Sequence, residues 1–166
     1  MTTGVLIGRF QPIHKGHVRQ IQKICEENDE VLIILGTPCK EIETSFRNPF
    51  TTDERLAMLT TVLDGYAKKP YDIRIVHDHP DNHPAWVEEL RAALPKGHLK
   101  VYTGNPLVAQ ICESHAIPVF PVTVEYPIHS TVIRELMKEK KPWEENVPHE
   151  IVEFIKQIPY LDRMNR

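Results

Sequence analysis

The stretch GVLIGRFQPIHKGH, residues 4–17, joins an apolar run to a loop that ends in two histidines. The apolar run predicts a buried strand, and Gly8 at its end allows the backbone to turn or to approach a ligand closely. His14 and His17 stand three residues apart at the start of the next predicted helix, so we expect them on one face. Gly16 would leave that face open.

A strand, a loop and a helix N-terminus in this order indicate an anion site. Unpaired amides in the first turn of a helix carry a partial positive charge of about +0.5 and bind phosphate readily. Two imidazoles beside them would supply further donors for phosphate oxygens. The spacing matches neither GxxxxGK[ST] nor GxGxxG, so the sequence predicts a phosphate site of another type.

The rest of the chain alternates between strand and helix patterns. Apolar runs predict further strands at residues 30–36, 71–77, 99–104 and 116–122. Two prolines in the last run favour an edge position. Helical periodicity is found between and after these runs, at residues 16–28, 52–64, 84–94, 106–115, 131–140 and 149–158. This order predicts a single α/β domain over residues 1–166, with a Rossmann-like, parallel five-stranded sheet and helices on both faces.

Local motifs predict where particular helices begin or end. Thr51 and Glu54 have the spacing of a capping box, and Gly65 is a predicted C-terminal cap of the same helix. Ser130 is predicted to cap the helix that follows it, and Arg134 then lies one turn later on the same face. Hydroxyl groups, helix amides and a guanidinium would converge there on one anion.

Composition argues against several classes of function. The chain has 166 residues, of which 41% are hydrophobic and 26% charged, as in ordinary globular domains. Its net charge of -3 offers no basic stripe, and no run approaches the ~18 apolar residues of a membrane span, so we expect neither nucleic acid nor membrane as a partner. Cys25, Cys39 and Cys112 lack CxxC spacing, which is typical of free thiols in a cytoplasmic protein.

Two motifs near the ends of the chain resemble a known superfamily. GRFQPIHKGH is similar to the first signature of the HxGH nucleotidyltransferases, and HSTVIR, residues 129–134, resembles their second signature, [ST]-x-x-[IV]-R. The form GRFQP, together with NPFTTDER (48–55), AWV (85–87), TGNPLV (103–108) and PWEENVP (142–148), resembles the archaeal type of nicotinamide-nucleotide adenylyltransferases. The likeness covers nearly the whole chain.

This resemblance implies an HxGH-type fold and the transfer of AMP from ATP to nicotinamide mononucleotide, giving NAD and pyrophosphate. It also implies Mg²⁺ accompanying ATP and a homo-oligomer. Two alternatives stay open: another HxGH adenylyl- or cytidylyltransferase, such as a phosphopantetheine adenylyltransferase, and a nucleotide-binding sensor without catalysis. A third, a metal-dependent hydrolase, would use the histidine-rich segment with His77, His79 and His83.

The predicted site residues fall into three groups. The resemblance and the local chemistry together assign catalysis to His14, His17 and Arg134. The predicted ATP and phosphate contacts are Gly8, Arg9, Phe10, Gly16, Arg47, Gly104, Asn105, Ser130 and Thr131. Nicotinamide nucleotide is assigned to Asn82 and Trp86, because a tryptophan face suits a pyridinium cation, with packing in the core as the alternative for Trp86. No residue is predicted to be a metal ligand.

Overall fold

The computed structural model describes residues 1–38, 44–122 and 125–166. The strands are Thr2–Gly8 (β1), Glu30–Thr37 (β2), Tyr71–His77 (β3), His98–Thr103 (β4) and Val119–Phe120 (β5). The helices are Lys15–Glu27 (α1), Thr52–Tyr66 (α2), His83–Ala93 (α3), Pro106–Ser114 (α4), Ser130–Lys138 (α5), His149–Lys156 (α6) and Tyr160–Met164 (α7), with a 3₁₀ turn at Glu144–Asn146. The predicted alternation of strands and helices is confirmed, while α7 and the 3₁₀ turn were not predicted.

The sheet is parallel throughout and has the order β3-β2-β1-β4-β5. This is the Rossmann-like arrangement that the strand and helix patterns predict. The edge position of the last strand is confirmed, but the predicted length is wrong, because β5 contains two residues rather than seven. Pro118 and Pro121 flank it, and neither can donate a backbone N–H to a neighbouring strand.

Helices cover both faces of the sheet, as predicted. Successive side chains of β1 point to opposite faces. On one face, a Cβ at Gly4 would collide with Ile24 of α1, so only glycine allows this helix to pack so closely. On the other face, Val5 belongs to a buried apolar cluster with Leu90 of α3 and Cys112 of α4. The core of the sheet therefore lies between β1 and helices on either side.

The chain divides into two compact units. The sheet unit comprises residues 1–9, 21–41 and 68–123, and the histidine unit comprises residues 10–20, 42–67 and 124–166. All five strands belong to the sheet unit, whereas α2, α5, α6 and α7 belong to the histidine unit. That residues 1–166 form a single domain stays a prediction.

The predicted helix ends agree with the structure at one cap and differ at two. The capping box is confirmed: the Thr51 hydroxyl accepts from the amide of Glu54, and the Thr51 amide donates to the Glu54 carboxylate. Gly65 is not a cap, because α2 continues to Tyr66 and ends at Ala67, whose N–H donates to the Leu63 carbonyl.

Ser130 is also not a cap. It is the first residue of α5, and its hydroxyl donates to a backbone carbonyl elsewhere in the chain, as described below. Two of the three cysteines, Cys25 and Cys112, are free and buried, and Cys39 lies outside the described residues. Within the parts of the chain that the structure describes, no helix has the length and apolar character needed to cross a membrane.

Candidate active site

The two histidines of the first motif lie against each other, as their spacing predicts. The imidazole rings of His14 and His17 are stacked, with their centroids 3.8 Å apart and their planes 29° from parallel. His14 is buried, with 5% of its surface exposed, and His17 is half-buried. Phe10 packs its ring edge-on against His17, at a centroid distance of 4.9 Å. The first motif therefore forms one aromatic cluster.

Backbone hydrogen bonds fix the orientation of both imidazoles. The amide of Gly16 donates to Nδ1 of His14 at 3.0 Å, and the amide of His14 donates to Nδ1 of His17 at 3.2 Å. Each Nδ1 is therefore an acceptor, which assigns the proton of each neutral imidazole to Nε2. Both rings consequently present an Nε2–H donor to a ligand.

Two backbone amides at this place already have partners within the protein. The amides of His14 and Gly16, at the start of α1, already donate to imidazole nitrogens. These two peptide groups are therefore engaged, while the expectation that helix amides contact phosphate stays a prediction for the other amides of the first turn.

Both histidines are held in the neutral form at physiological pH. Burial, followed by the nearby charge of His129, lowers the pKa of His14 from 6.5 to about 4. The pKa of His17 is also well below its usual value, because of burial first and of the neighbouring His14 and His129 second. A neutral imidazole can donate to phosphate without charge repulsion between the two stacked rings.

The second motif is hydrogen-bonded directly to the loop of the first. The Ser130 hydroxyl donates to the Pro12 carbonyl at 3.0 Å, and Nη1 of Arg134 donates to the Gln11 carbonyl at 2.8 Å. Nη2 of Arg134 donates to the Thr131 hydroxyl at 3.2 Å. Residues more than a hundred positions apart in sequence therefore meet in one site, as the two-motif interpretation predicts.

Arg134 is buried, yet it retains an unused donor. Its Nε has no hydrogen-bond partner among the described residues, although the residue is only 8% exposed. Burial lowers the pKa of this guanidinium, and so does the charge of Arg47, which is itself exposed. A buried donor without a partner is costly in a folded protein, which makes this Nε a candidate contact for a ligand.

Three residues of the site escape prediction from the sequence motifs. The first is Gln11, whose side-chain amide bonds both backbone groups of Phe50: Nε2 donates to the carbonyl at 3.0 Å, and Oε1 accepts from the amide at 3.1 Å. The second is Tyr126, whose ring stacks on His14 with centroids 5.7 Å apart, while the Arg19 guanidinium lies 5.2 Å from the Tyr126 centroid.

The third residue is Phe46, which precedes Arg47 in the loop before α2. The guanidinium carbon of Arg134 lies 5.6 Å from its ring centroid. Stacked or clustered aromatic and cationic side chains of this kind leave no short sequence signature. The sequence signal that could have identified Phe46 is its position next to the predicted binding residue Arg47.

In the sheet unit, predicted residues follow β1 and β4 at the same edge of the sheet. Ile7 pairs with Thr103 across the two strands, so Gly8 and Gly104 are the next residues at that edge. This is where the strand order reverses, the usual position of a ligand in such sheets. A Cβ at Gly104 would meet no atom within 4 Å, so the structure leaves open space there.

Two predicted polar residues of the sheet unit serve as helix caps. Oδ1 of Asn105 accepts from the amides of Leu107 and Val108 at the start of α4. Oδ1 of Asn82 accepts from the amide of Ala85 at the start of α3. Both asparagines are exposed, and the cap hydrogen bonds use Oδ1, so the Nδ2 groups take no part in capping.

Two other predicted binding residues of the sheet unit have protein partners. Nη2 of Arg9 pairs with the Asp78 carboxylate at 2.7 Å, although the side chain of Arg9 is 46% exposed. Trp86 is half-buried and packs against the apolar cluster of the sheet unit. Trp86 therefore takes part in the core, as the alternative interpretation predicts. Its remaining exposed surface is compatible with a ligand.

The histidine-rich segment forms a hydrogen-bonded cluster around one carboxylate. His77 Nδ1 and His79 Nε2 each lie 2.7 Å from a different oxygen of Glu89, and the His77 amide donates to the same carboxylate at 2.9 Å. Although burial opposes it, hydrogen bonds from His79 and His77 lower the pKa of Glu89 to about 2. Among the described residues, no group of histidines, cysteines and acids has an arrangement suited to a metal ion.

Comparison with known proteins identifies the family. The cytidylyltransferase-like family matches residues 5–136. The nicotinamide-nucleotide adenylyltransferase of Pyrococcus horikoshii is 37% identical over 170 residues, covering 99% of this chain and 88% of its own. The enzyme of that name from Methanocorpusculum labreanum is 36% identical, covering 100% and 97%. The chain belongs to the archaeal nicotinamide-nucleotide adenylyltransferases.

Solved structures agree with the fold of this family. A bifunctional NMN adenylyltransferase/ADP-ribose pyrophosphatase from Francisella tularensis superposes with a TM-score of 0.82 at 19% sequence identity. A second crystal structure of that protein, complexed with AMP and a manganese ion, gives 0.78. The chain covers 52% of that longer protein, about half its length. At this identity the likeness establishes the nucleotidyltransferase fold.

Proposed function

We propose that the protein transfers the adenylyl group of ATP to nicotinamide mononucleotide, forming NAD and releasing pyrophosphate. The observation that carries this proposal is the hydrogen bonding of Arg134 and Ser130 to the loop of the histidine motif. It joins both nucleotidyltransferase motifs in one site, in a chain that belongs to the adenylyltransferase family.

The reaction requires no nucleophile from the protein. A phosphate oxygen of nicotinamide mononucleotide, ionised at neutral pH, attacks the α-phosphorus of ATP. The bond from that phosphorus to the bridging oxygen breaks, and the electron pair leaves with pyrophosphate. Such a transfer depends on the positioning of two anions and on stabilisation of the charge that develops on the leaving group.

The residues of the histidine unit supply that stabilisation. His14 and His17 donate to ATP phosphate oxygens through Nε2–H, in the tautomers that their Nδ1 bonds impose. Arg134 adds a positive charge and a donor, Nε, that no described residue uses. Thr131 is one step removed, because its hydroxyl accepts from Arg134 and so holds the guanidinium in place.

The remaining assignments rest on the family resemblance and on the local sequence motifs. Gly8, Arg9, Phe10, Gly16, Arg47, Gly104, Asn105 and Ser130 are assigned to ATP and its phosphates. Asn82 and Trp86 are assigned to nicotinamide nucleotide. In this assignment the two asparagines act as donors through Nδ2, since their oxygens cap helices. Trp86 offers its exposed part to the pyridinium ring.

We infer that Mg²⁺ enters with ATP, as part of the substrate. The donor set around the histidine pair consists of neutral imidazoles, hydroxyls and a guanidinium, which do not suit a hard cation. Phosphate oxygens and water are the ligands that Mg²⁺ prefers in such sites. We also propose a homo-oligomer, from the resemblance, and a cytoplasmic location, from the free thiols.

The test is an assay of pyrophosphate release with a panel of acceptors. The purified protein is incubated with MgATP and nicotinamide mononucleotide, nicotinic acid mononucleotide or phosphopantetheine, and NAD is identified by chromatography. We expect pyrophosphate and NAD in equal amounts with nicotinamide mononucleotide, and no product with phosphopantetheine. ATP binding without pyrophosphate release from any acceptor would support the sensor alternative instead.

A further inference from the structure

Two cations share one aromatic ring beside the proposed site. Nζ of Lys138 lies 5.3 Å from the ring centroid of Phe46, and the guanidinium carbon of Arg134 lies 5.6 Å from the same centroid. Both belong to α5, four residues apart, so their side chains extend along one helix face. Neither Phe46 nor Lys138 belongs to the two motifs that define the family.

Among the described residues, Glu135 is the carboxylate that contributes to the electrostatics of Arg134, and burial and the charge of Arg47 outweigh it. Within the described ranges, neither Arg134 nor Lys138 nor the neighbouring Arg47 forms an ion pair with a carboxylate. Other basic residues of the histidine unit do so, for example Lys141 with Glu139. Like charges four residues apart on a helix repel each other, so this arrangement favours a bound anion.

Two further features indicate that the anion binds here. Arg134 is 8% exposed, and its Nε has no partner among the described residues, so one donor is kept for a ligand. Phe46 stabilises both cations through its ring face, which occupies none of their N–H donors. The exposed ammonium of Lys138 therefore keeps three donors for phosphate oxygens.

We infer that Phe46 positions Lys138 and Arg134 as a binding subsite for the terminal phosphates of the nucleoside triphosphate and for the pyrophosphate released from it. This inference rests on the proposed adenylyl transfer and adds two residues to it. Lys138 is the binding residue, and Phe46 is a positioning residue, since it acts through the two cations. The alternative role of Lys138 is a basic residue in the last helical turn, which stabilises α5 alone.

Calorimetric titration with inorganic pyrophosphate, ATP and AMP tests the subsite. For Lys138→Met we expect affinity for pyrophosphate and ATP to fall about tenfold, the effect of one hydrogen bond between charged groups, with AMP affinity unchanged. Lys138→Arg should restore most of the loss. Lys141→Met is the matched control, because it removes the same charge three residues beyond, where the lysine has an acidic partner.

Phe46→Leu provides a second measurement, since it keeps an apolar side chain and removes the ring. It should weaken pyrophosphate binding, with AMP binding again unchanged. Equal pyrophosphate affinity in Lys138→Met and Lys141→Met would overturn the inference, and so would a Lys138→Met variant that changes only the melting temperature. If the protein forms no NAD but the pyrophosphate affinities still separate as described, the proposed function fails while the subsite stands.

Discussion

The two units of the chain prepare their predicted binding residues in opposite ways. In the histidine unit, His14 and Arg134 are buried and tied to backbone groups at 2.8–3.0 Å. In the sheet unit, Asn82, Asn105 and Arg9 are exposed and already have protein partners, as helix caps or in an ion pair. The side chains of the first set are held in place by the fold itself. Those of the second set are exposed, and a ligand would have to compete with or add to their present partners.

With the roles proposed above, this difference predicts which residues act in catalysis and which in substrate binding. Groups that stabilise developing charge act best when the fold has already fixed them, because no reorganisation is then needed during the reaction. Groups that recognise a base or a pyridine ring need only contribute affinity, and exposed donors suffice for this. The histidine unit should therefore control turnover, and the sheet unit should control substrate affinity.

Replacing His17 by alanine is the strongest test of the assignment of turnover to the histidine unit. Loss of its Nε2–H donor should lower kcat roughly 10²–10³-fold, the usual cost of one fixed donor to a developing charge. The KM for nicotinamide mononucleotide should change by less than about threefold. Steady-state kinetics of NAD formation measure both. Equal losses in the two parameters would contradict a role of His17 in the transition state.

The second prediction uses the burial of His14. Its pKa is about 4 in the folded protein and near 6.5 when unfolded, so the unfolded chain binds more protons between these values. The contribution of His14 to the free energy of unfolding is therefore fully present above pH 6.5. It is lost as the pH drops from 6.5 to 4, which lowers stability by on the order of 3 kcal/mol. Chemical unfolding at several pH values measures it, and His14→Asn should flatten the slope. An unchanged slope in that variant would refute the assignment.

A third pair of variants compares glycines in the two units. In Gly16→Ala, the new Cβ would lie 2.7 Å from Cε1 of His14 and 2.9 Å from Cβ of Tyr126, so the imidazole must shift. We expect roughly 1–3 kcal/mol lower stability and at least about a tenfold lower kcat.

Gly104→Ala is the matched control for crowding. No atom lies within 4 Å of its new Cβ, so stability should stay within about 0.5 kcal/mol. If Gly104 approaches the nucleotide, the KM for ATP should rise while the melting temperature does not change. A large fall in melting temperature for this variant would mean that the space beside Gly104 is filled in the folded protein.

The smallest effect is expected at Trp86, which combines packing with the proposed contact to nicotinamide. Trp86→Leu should raise the KM for nicotinamide mononucleotide roughly threefold to tenfold, in line with the loss of one cation–π contact, and leave the KM for ATP unchanged. Trp86→Phe should recover part of the affinity. A parallel rise in both KM values would assign Trp86 to the core alone.

The sequence predicts the sheet well where local pattern and burial agree. The runs at residues 30–36 and 71–77 are rich in β-branched residues, and both form strands within one residue of the predicted ends. The last strand is shorter than predicted, because Pro118 and Pro121 interrupt its pairing. Thr51 and Glu54 were found because both halves of a capping box lie within four residues.

The sequence predicts the site only in part, because local motifs do not show contacts between distant residues. His14 and His17 share a local motif, whereas Gln11 meets Phe50 across 39 positions and Ser130 meets Pro12 across 118. A hydroxyl at the start of a helix satisfies the local capping pattern whether or not a distant carbonyl competes for it. Local sequence patterns do not take such long-range hydrogen bonds into account, so the prediction that Ser130 is a cap is wrong.

Neutral stacked imidazoles have a consequence for how the protein and its ligand respond to acid. A phosphate beside the two Nε2–H groups favours their charged form, so binding raises the imidazole pKa and draws protons from the solvent. With phosphate bound there as proposed, acidification would have two opposite effects: it would destabilise the unliganded fold and strengthen anion binding. The triphosphate would therefore stabilise the folded chain most at low pH, where the unliganded protein has its lowest free energy of unfolding.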